Sequence, residues 1–184
     1  MTDNLQSDKS NGVNIEGKFS VDRFVLETHY AELDPLTDLL HEAYAPLAAK
    51  GMRYLATHQP ASKTLERLEE GESYLAFIDN HLIGTVTLYR EKVSSSCEYY
   101  RKQGVFSFGQ FAIKPQFQGK GFGSALMDML ELRATELGAS ELALDTSEHA
   151  ENLIQMYMKR GYVQVAFTQW DVTNYRSVIM SKHL

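Results

Sequence analysis

Several things are scarce in this chain, and each scarcity excludes a class of function. There is one cysteine, Cys97, in 184 residues, so no intramolecular disulfide can form and no Cys-rich zinc site can be built. A reducing, cytoplasmic setting is the expectation. Basic residues are outnumbered: 18 Lys and Arg stand against 24 Asp and Glu, for a formal charge of -6. That lacks the basic footprint of a nucleic-acid binder and mildly favours a cationic partner. No apolar run approaches the ~20 residues that span a bilayer, and Met1 to Ser20 shows no basic stretch followed by an apolar core. Neither a membrane span nor an export signal is expected. The six histidines show no paired helical spacing of metal-ligand type, so no bound metal is expected either.

What is present is globular in proportion. Hydrophobic residues make up 43%, aromatic 11% and charged 23%, enough apolar surface to offset the entropy of ordering. The length is close to one domain by a prior of ~150 residues. Residues 1–17 are polar with isolated apolar positions and read as a flexible tail, leaving 18–184 as a single domain.

A strand is expected over Phe19 to Thr28. Asp34-Pro35 then reads as the start of a helix, with Leu36, Leu39, Leu40, Ala43, Tyr44 and Leu47 on one stripe and an end near Gly51. A second helix over Ser62 to Glu70 stops at Gly71, and Tyr74 to Ile78 pairs with Leu82 to Tyr89 across a tight turn at Asp79-Asn80-His81. Phe106 to Ile113 is a strand, and Gly121 to Leu137 a helix buried along Phe122, Ala125, Leu126, Met129, Leu130 and Leu137. Glu141 to Asp145 follows as a buried strand, Glu148 to Arg160 as a helix, and Tyr162 to Trp170 with Arg176 to His183 as a last hairpin. The strand, helix, strand order through 106–145 makes a right-handed parallel unit among antiparallel hairpins, a mixed sheet of the α+β class.

The run from Phe111 to Ser124 carries the chemistry. Gly119, Gly121 and Gly123 alternate where a strand passes into a helix. Backbone amides there can approach a ligand with no Cβ in the way, and the helix dipole adds roughly half a positive charge. Such a turn is an anion cradle suited to phosphate or pyrophosphate, with Lys114 and Lys120 beside it and Gln118 at its start. The spacing of a P-loop is absent, and a dinucleotide fingerprint needs glycine where Ser124 stands.

Gln118-Gly119-Lys120-Gly121-Phe122-Gly123 resembles the Gln/Arg-x-x-Gly-x-Gly/Ala signature of the GCN5-related N-acetyltransferases, the GNAT family. Tyr157, three further residues and then Gly161-Tyr162 are similar to that family's second motif. The resemblance implies helices on both faces of a mostly antiparallel sheet with one splayed parallel strand pair. It implies that backbone groups of Phe111, Ala112 and Ile113 hold the pantetheine arm of acetyl-CoA, and Gly109 inside that strand is consistent with a bulge or a close approach. Gln118, Gly119, Lys120, Gly121, Phe122, Gly123 and Ser124 would bind the pyrophosphate, more through amides than side chains. It places the Tyr157 hydroxyl at the thioester sulfur as proton donor to the departing thiolate.

Two positions depart from the pattern. Ala150 stands where the family often carries Asn, with Asn152 five residues before Tyr157 instead. Five residues is about 140° around a helix, so the two are not expected on one face. Gln110 stands where members sometimes place a glutamate base, which favours a water relay, with Asp145, Glu148 and His149 as further candidates. Acceptor-pocket candidates are Tyr44, Arg53, Tyr54, Trp170, Asn174 and Tyr175.

The resemblance thus implies an acetyl-CoA-dependent N-acetyltransferase acting on a primary amine of a small molecule or peptide, without metal, nucleic acid or membrane. It admits a homodimer. The alternative is a non-catalytic acyl-CoA-binding regulatory module.

Overall fold

Alternation along the strands decides which side of the sheet each residue feeds. The computed structural model describes residues 17–184; all of the expected tail except Gly17 lies outside them. The elements run β1 (Phe19–Arg23), α1 (Leu26–His29), α2 (Leu33–Ala49), α3 (Ala61–Glu69), β2 (Glu72–Ile78), β3 (His81–Tyr89), β4 (Val105–Ile113), α4 (Phe122–Glu136), β5 (Glu141–Ser147), α5 (Glu151–Lys159), β6 (Val163–Gln169) and β7 (Arg176–His183). Seven strands form one sheet in the order β1-β2-β3-β4-β5-β7-β6. Among the described residues only β4 and β5 pair in parallel. The fold is α+β, of the GNAT type.

In β2, Leu75 and Phe77 join Leu36, Leu39 and Leu40 of α2 on one face. Ala76 and Ile78 point the other way, toward Leu126 and Leu130 of α4, as a period of two requires. All of these leucines are fully buried, so truncation of any one to alanine costs about 2–5 kcal/mol. On α4, Met127 belongs to the core and Ala125 is exposed, because the stripe that meets the sheet runs through Phe122, Leu126, Leu130 and Ala134 with Met127 filling beside it.

Some expected boundaries shift for local reasons. The first strand ends at Arg23, and after the Phe24 amide bonds to Ser73 O at 2.8 Å the chain turns into α1. A 3-10 turn over Tyr30–Glu32 runs straight into α2, so Asp34 has no free helix end to cap and makes no capping bond. Pro46 lies inside α2, removing one ladder bond in the stretch that carries Tyr44 and Leu47. The last helix begins at Glu151, since the Glu148 amide bonds to Arg176 O at 3.0 Å and prolongs the strand edge. Gly71 is not the left-handed stop of α3: a Cβ there would stand 2.3 Å from the Leu88 carbonyl oxygen, so glycine serves a close backbone approach. The β2–β3 hairpin keeps its expected tight turn, with Asp79 at φ 47 and Asn80 at φ 65, the values of a type I′ turn.

The feature that positions the site is the end of the parallel pairing. β4 and β5 are in register only from Val105↔Glu141 to Ser107↔Ala143, and beyond that point the two strands part. On its other edge β4 stays paired with β3, where Thr87↔Gly109 is followed by Thr85↔Ala112. Gln110 and Phe111 therefore bulge opposite Val86.

Candidate active site

A cleft of about 870 Å³ opens where β4 and β5 part, bounded by the C-terminal half of α2, the tip of β4, the start of α4 and one side of α5. Its volume is that of a ligand site for a molecule of cofactor size.

The glycine turn forms one end of this cleft. Gly119 has φ 71 and Gly121 φ 90, and a Cβ on either would meet nothing within 4 Å. Glycine is needed there for the left-handed backbone and leaves the ligand side open. No side chain caps α4, and its first bond runs from the Ala125 amide to Gly121 O at 3.0 Å. The amides of Phe122, Gly123 and Ser124 thus have no partner within the helix. Gly119, Gly121, Gly123 and Ser124 line the cleft.

Three expected side chains do other work. Phe122 is buried against Phe19 and Phe117, with ring centroids 5.2 and 6.2 Å away, so only its amide faces the turn. Lys120 is exposed beside the Phe117 ring and is not part of the cleft wall. Gln118 lines the wall while its Nε2 donates to Ile113 O at 2.9 Å, tying the glycine turn to the end of β4.

Phe111, Ala112 and Ile113 form the strand-side wall. The Tyr44 hydroxyl donates to Phe111 O at 3.2 Å, so that carbonyl has a protein partner already. Gly109 stands at the edge of the bulge, where an added Cβ would lie 3.2 Å from the Tyr89 ring, and the next residue carries the left-handed backbone: Gln110 has φ 48. It is 2% exposed, and its Oε1 accepts from Gln59 Nε2 at 3.0 Å, while its own Nε2 has no partner.

Tyr157 lies on α5 with its ring wedged edge-on against Phe108 and Tyr162, at 6.1 and 5.9 Å. It is 6% exposed and borders the cleft. Burial first, then the nearby Tyr44, Tyr54 and Asp145, pushes its hydroxyl well above the usual tyrosine range, so it stays protonated. Asn152 borders the same cleft. The lining takes in residues of α5 from Asn152 to Lys159, and 140° of rotation therefore does not separate the two residues.

Residues 33–162 match the family model described as "Acetyltransferase (GNAT) family". The chain belongs to the GNAT family. This acetyltransferase is 31% identical over 136 residues to S-(2-succino)cysteine N-acetyltransferase of Bacillus subtilis (strain 168), covering 72% of this chain and 79% of that protein. Its fold is similar to a solved protein of Pyrococcus horikoshii OT3 at 17% identity and TM-score 0.70, covering 91% of this chain and 99% of that one. A PaiA N-acetyltransferase of Thermoplasma acidophilum, solved in complex with coenzyme A, matches with TM-score 0.66 at 17% identity, over 91% of this chain and 99% of that one.

The expected acceptor residues of the acetyltransferase divide into three groups. Asn174 is a tie: its Oδ1 accepts from the Arg53 amide and its Nδ2 donates to Gly51 O, both at 2.8 Å. Tyr54 is held against β5, its hydroxyl 2.8 Å from Thr146 Oγ1 and 2.9 Å from the Ser147 amide, with Tyr175 packed on its ring at 4.9 Å. Trp170 instead faces a second cleft on the other side of the splay. Of the further base candidates, Glu148 is paired with Arg176 at 2.7 Å and His149 is exposed. Asp145 borders the second cleft together with Arg67, and no sequence motif marks Arg67. Among the described residues no group of His, Cys, Asp or Glu is placed to hold a metal ion, and no helix is long and apolar enough to cross a membrane.

Proposed function

We propose that this chain transfers the acetyl group of acetyl-CoA to a primary amine by direct attack. One observation carries the reading: an uncapped helix start behind two left-handed glycines and the protonated Tyr157 hydroxyl open onto the same cleft, at the place where β4 and β5 part.

The cosubstrate would supply an activated thioester. The amides of Gly119, Gly121, Phe122, Gly123 and Ser124 would bind its pyrophosphate, where the helix dipole favours negative charge. The edge of Phe111, Ala112 and Ile113 left free by β5 would hold the pantetheine arm, with Asn152 facing it from α5. Tyr157 would donate its proton to the sulfur as the C–S bond breaks. A thiol has an ordinary pKa of ~8.5, so a hydroxyl with its proton held more tightly is a reluctant donor until the thiolate develops. An alkylammonium of pKa ~10 must lose a proton before it attacks, and with Gln110 in place of a glutamate that proton leaves through water.

The relative's acceptor is an amino acid with a dicarboxylate on its sulfur, and a small carboxylated amine is accordingly the first acceptor class to test. Release of free CoA thiol is followed after mixing the protein with acetyl-CoA and a panel of amines and short peptides. The expected result is amine-dependent, saturable release with S-(2-succino)cysteine among the better acceptors. Tight acetyl-CoA binding with no release from any amine would support a regulatory binding module instead.

A further inference from the structure

The second cleft, about 550 Å³, is used by nothing so far. It lies against the opposite edge of the splay and takes Arg67, Tyr89, Lys92, Gly109, Asp145 and Trp170 into its wall. Most of its charges are spoken for. Glu91 accepts from the Gly104 amide at 2.6 Å. Lys92 lies 3.7 Å from Glu70 and 3.8 Å above the Tyr89 ring, and burial lowers its pKa.

Arg67 is different. It makes no ion pair with a carboxylate among the described residues, and its side-chain partners are neutral: Nη1 donates to Gln59 Oε1 at 2.8 Å, and the Tyr89 hydroxyl lies beside the guanidinium. Gln59 is fully buried. Its Nε2 donates to Thr64 Oγ1 at 2.7 Å and to Gln110 Oε1 at 3.0 Å, which fixes which end of the amide meets the guanidinium. A buried line from the β4 bulge through Gln59 thus aims Arg67. Its Nη2 is 3.5 Å from where a Cβ would stand on Gly109, so the glycine leaves that edge of the fork uncovered. A half-buried guanidinium with donors to spare and no anion is a site for a carboxylate.

Asp145 supplies the complementary charge. It sits on β5 just past the last parallel pair, and each oxygen is held by one donor: Oδ1 by the Tyr100 hydroxyl at 3.1 Å and Oδ2 by Trp170 Nε1 at 2.9 Å. Neither donor is a cation, and Asp145 is exposed with no direct ion pair among the described residues, although the Lys92 charge feels it across the cleft, so each oxygen keeps a lone pair for an ammonium. Arg67 and Asp145 both act on Lys92 and on Tyr44, which places them around one space, and Asp145 is near enough to bear on Tyr157.

We propose that this second cleft is the acceptor site and that it selects an α-amino acid, Arg67 taking the α-carboxylate and Asp145 the α-ammonium, between the rings of Tyr89 and Trp170. The assignment rests on the acetyl-transfer reading above. The ammonium gives one proton to water, the nitrogen bonds to the thioester carbon, and the C–S bond breaks. The sulfur takes the Tyr157 proton and Tyr157 is restored by the second proton of the nitrogen. The sum is ammonium plus thioester giving amide, thiol and one proton.

The test compares each of a set of α-amino acids, S-(2-succino)cysteine included, with the amine that remains when its α-carboxylate is removed. Thiol release is measured for the wild-type chain, Arg67→Met and Arg67→Lys, and acetyl-CoA affinity by calorimetry for all three. For the best acceptor the wild type is expected to favour the amino acid at least 100-fold in kcat/KM, since only the amino acid gives the half-buried guanidinium an anionic partner. Arg67→Met should collapse that ratio to within about threefold, mainly through KM, with acetyl-CoA affinity held, and Arg67→Lys should keep part of it because it retains charge without the fork. A wild type that treats the pairs alike, that binds acetyl-CoA but acetylates no α-amino acid, or whose preference survives Arg67→Met overturns the inference. Absence of acetyl-CoA binding overturns the proposed function itself.

Discussion

Gly121→Asp is expected to weaken acetyl-CoA binding at least 100-fold while leaving the unfolding midpoint little changed. The new side chain meets no protein atom, since a Cβ at Gly121 has nothing within 4 Å. Its effect is electrostatic and competitive. Position 121 is the N-cap of α4, and an aspartate there accepts from the second or third amide of the helix, the same donors proposed for the pyrophosphate. It also sets a negative charge against the phosphates, where the helix start had favoured them. The φ of 90 costs any L-residue about 1–3 kcal/mol, and the new cap offsets part of that. Gly121→Asn separates the terms: it shares the left-handed tolerance and the capping geometry without the charge, so it should lose less affinity than Asp. Equal loss by the two, or affinity retained in Gly121→Asp, would count against the cradle. Calorimetric titration and thermal unfolding read both quantities.

Tyr157→Phe is expected to lower kcat about 100-fold, the lower end of what positioned proton transfer contributes, with acetyl-CoA affinity unchanged. The edge-on contacts to Phe108 and Tyr162 involve the ring, which phenylalanine keeps. Burial holds the hydroxyl proton well above the ordinary tyrosine range. Its acid form therefore persists through neutral and alkaline pH, and no loss of kcat from this group is expected below about pH 10. The acidic limb belongs to the acceptor ammonium, which must release a proton. A kcat unmoved by the substitution, or an alkaline fall near pH 8 that Tyr157→Phe abolishes, would remove Tyr157 from the proton-donor role.

Local chemistry made much of this legible in the sequence. The Asp79-Asn80 turn, the apolar spacing of α2 and α4, and the strand, glycine turn and helix through Phe111 to Ser124 are each written within a few residues, and the structure keeps them. Distant contacts were not legible. Gly71 matters because Leu88 O comes within 2.3 Å of its Cβ position, which no nearby residue announces. The bulge that Gly109 announces puts its left-handed backbone on Gln110, and Gln110 is tethered by Gln59, 51 positions away. In the sequence Arg67 is one charge among Glu66, Glu69, Glu70 and Glu72. Only the fold turns it inward to Gln59 and brings Asp145 and Trp170 to the same cleft. Asn152 shows the opposite limit: helical phase alone puts it away from Tyr157, and the cleft wall takes in both.

The central claim is that the cleft at the splay binds acetyl-CoA through the glycine turn and presents it to an amine. Calorimetric titration of the wild-type chain with acetyl-CoA tests it most directly. A single saturable site is expected, with a Kd on the order of micromolar, about -8 kcal/mol, in a complex that releases thiol only when an acceptor amine is added. No saturable heat under conditions where the chain is folded would contradict it.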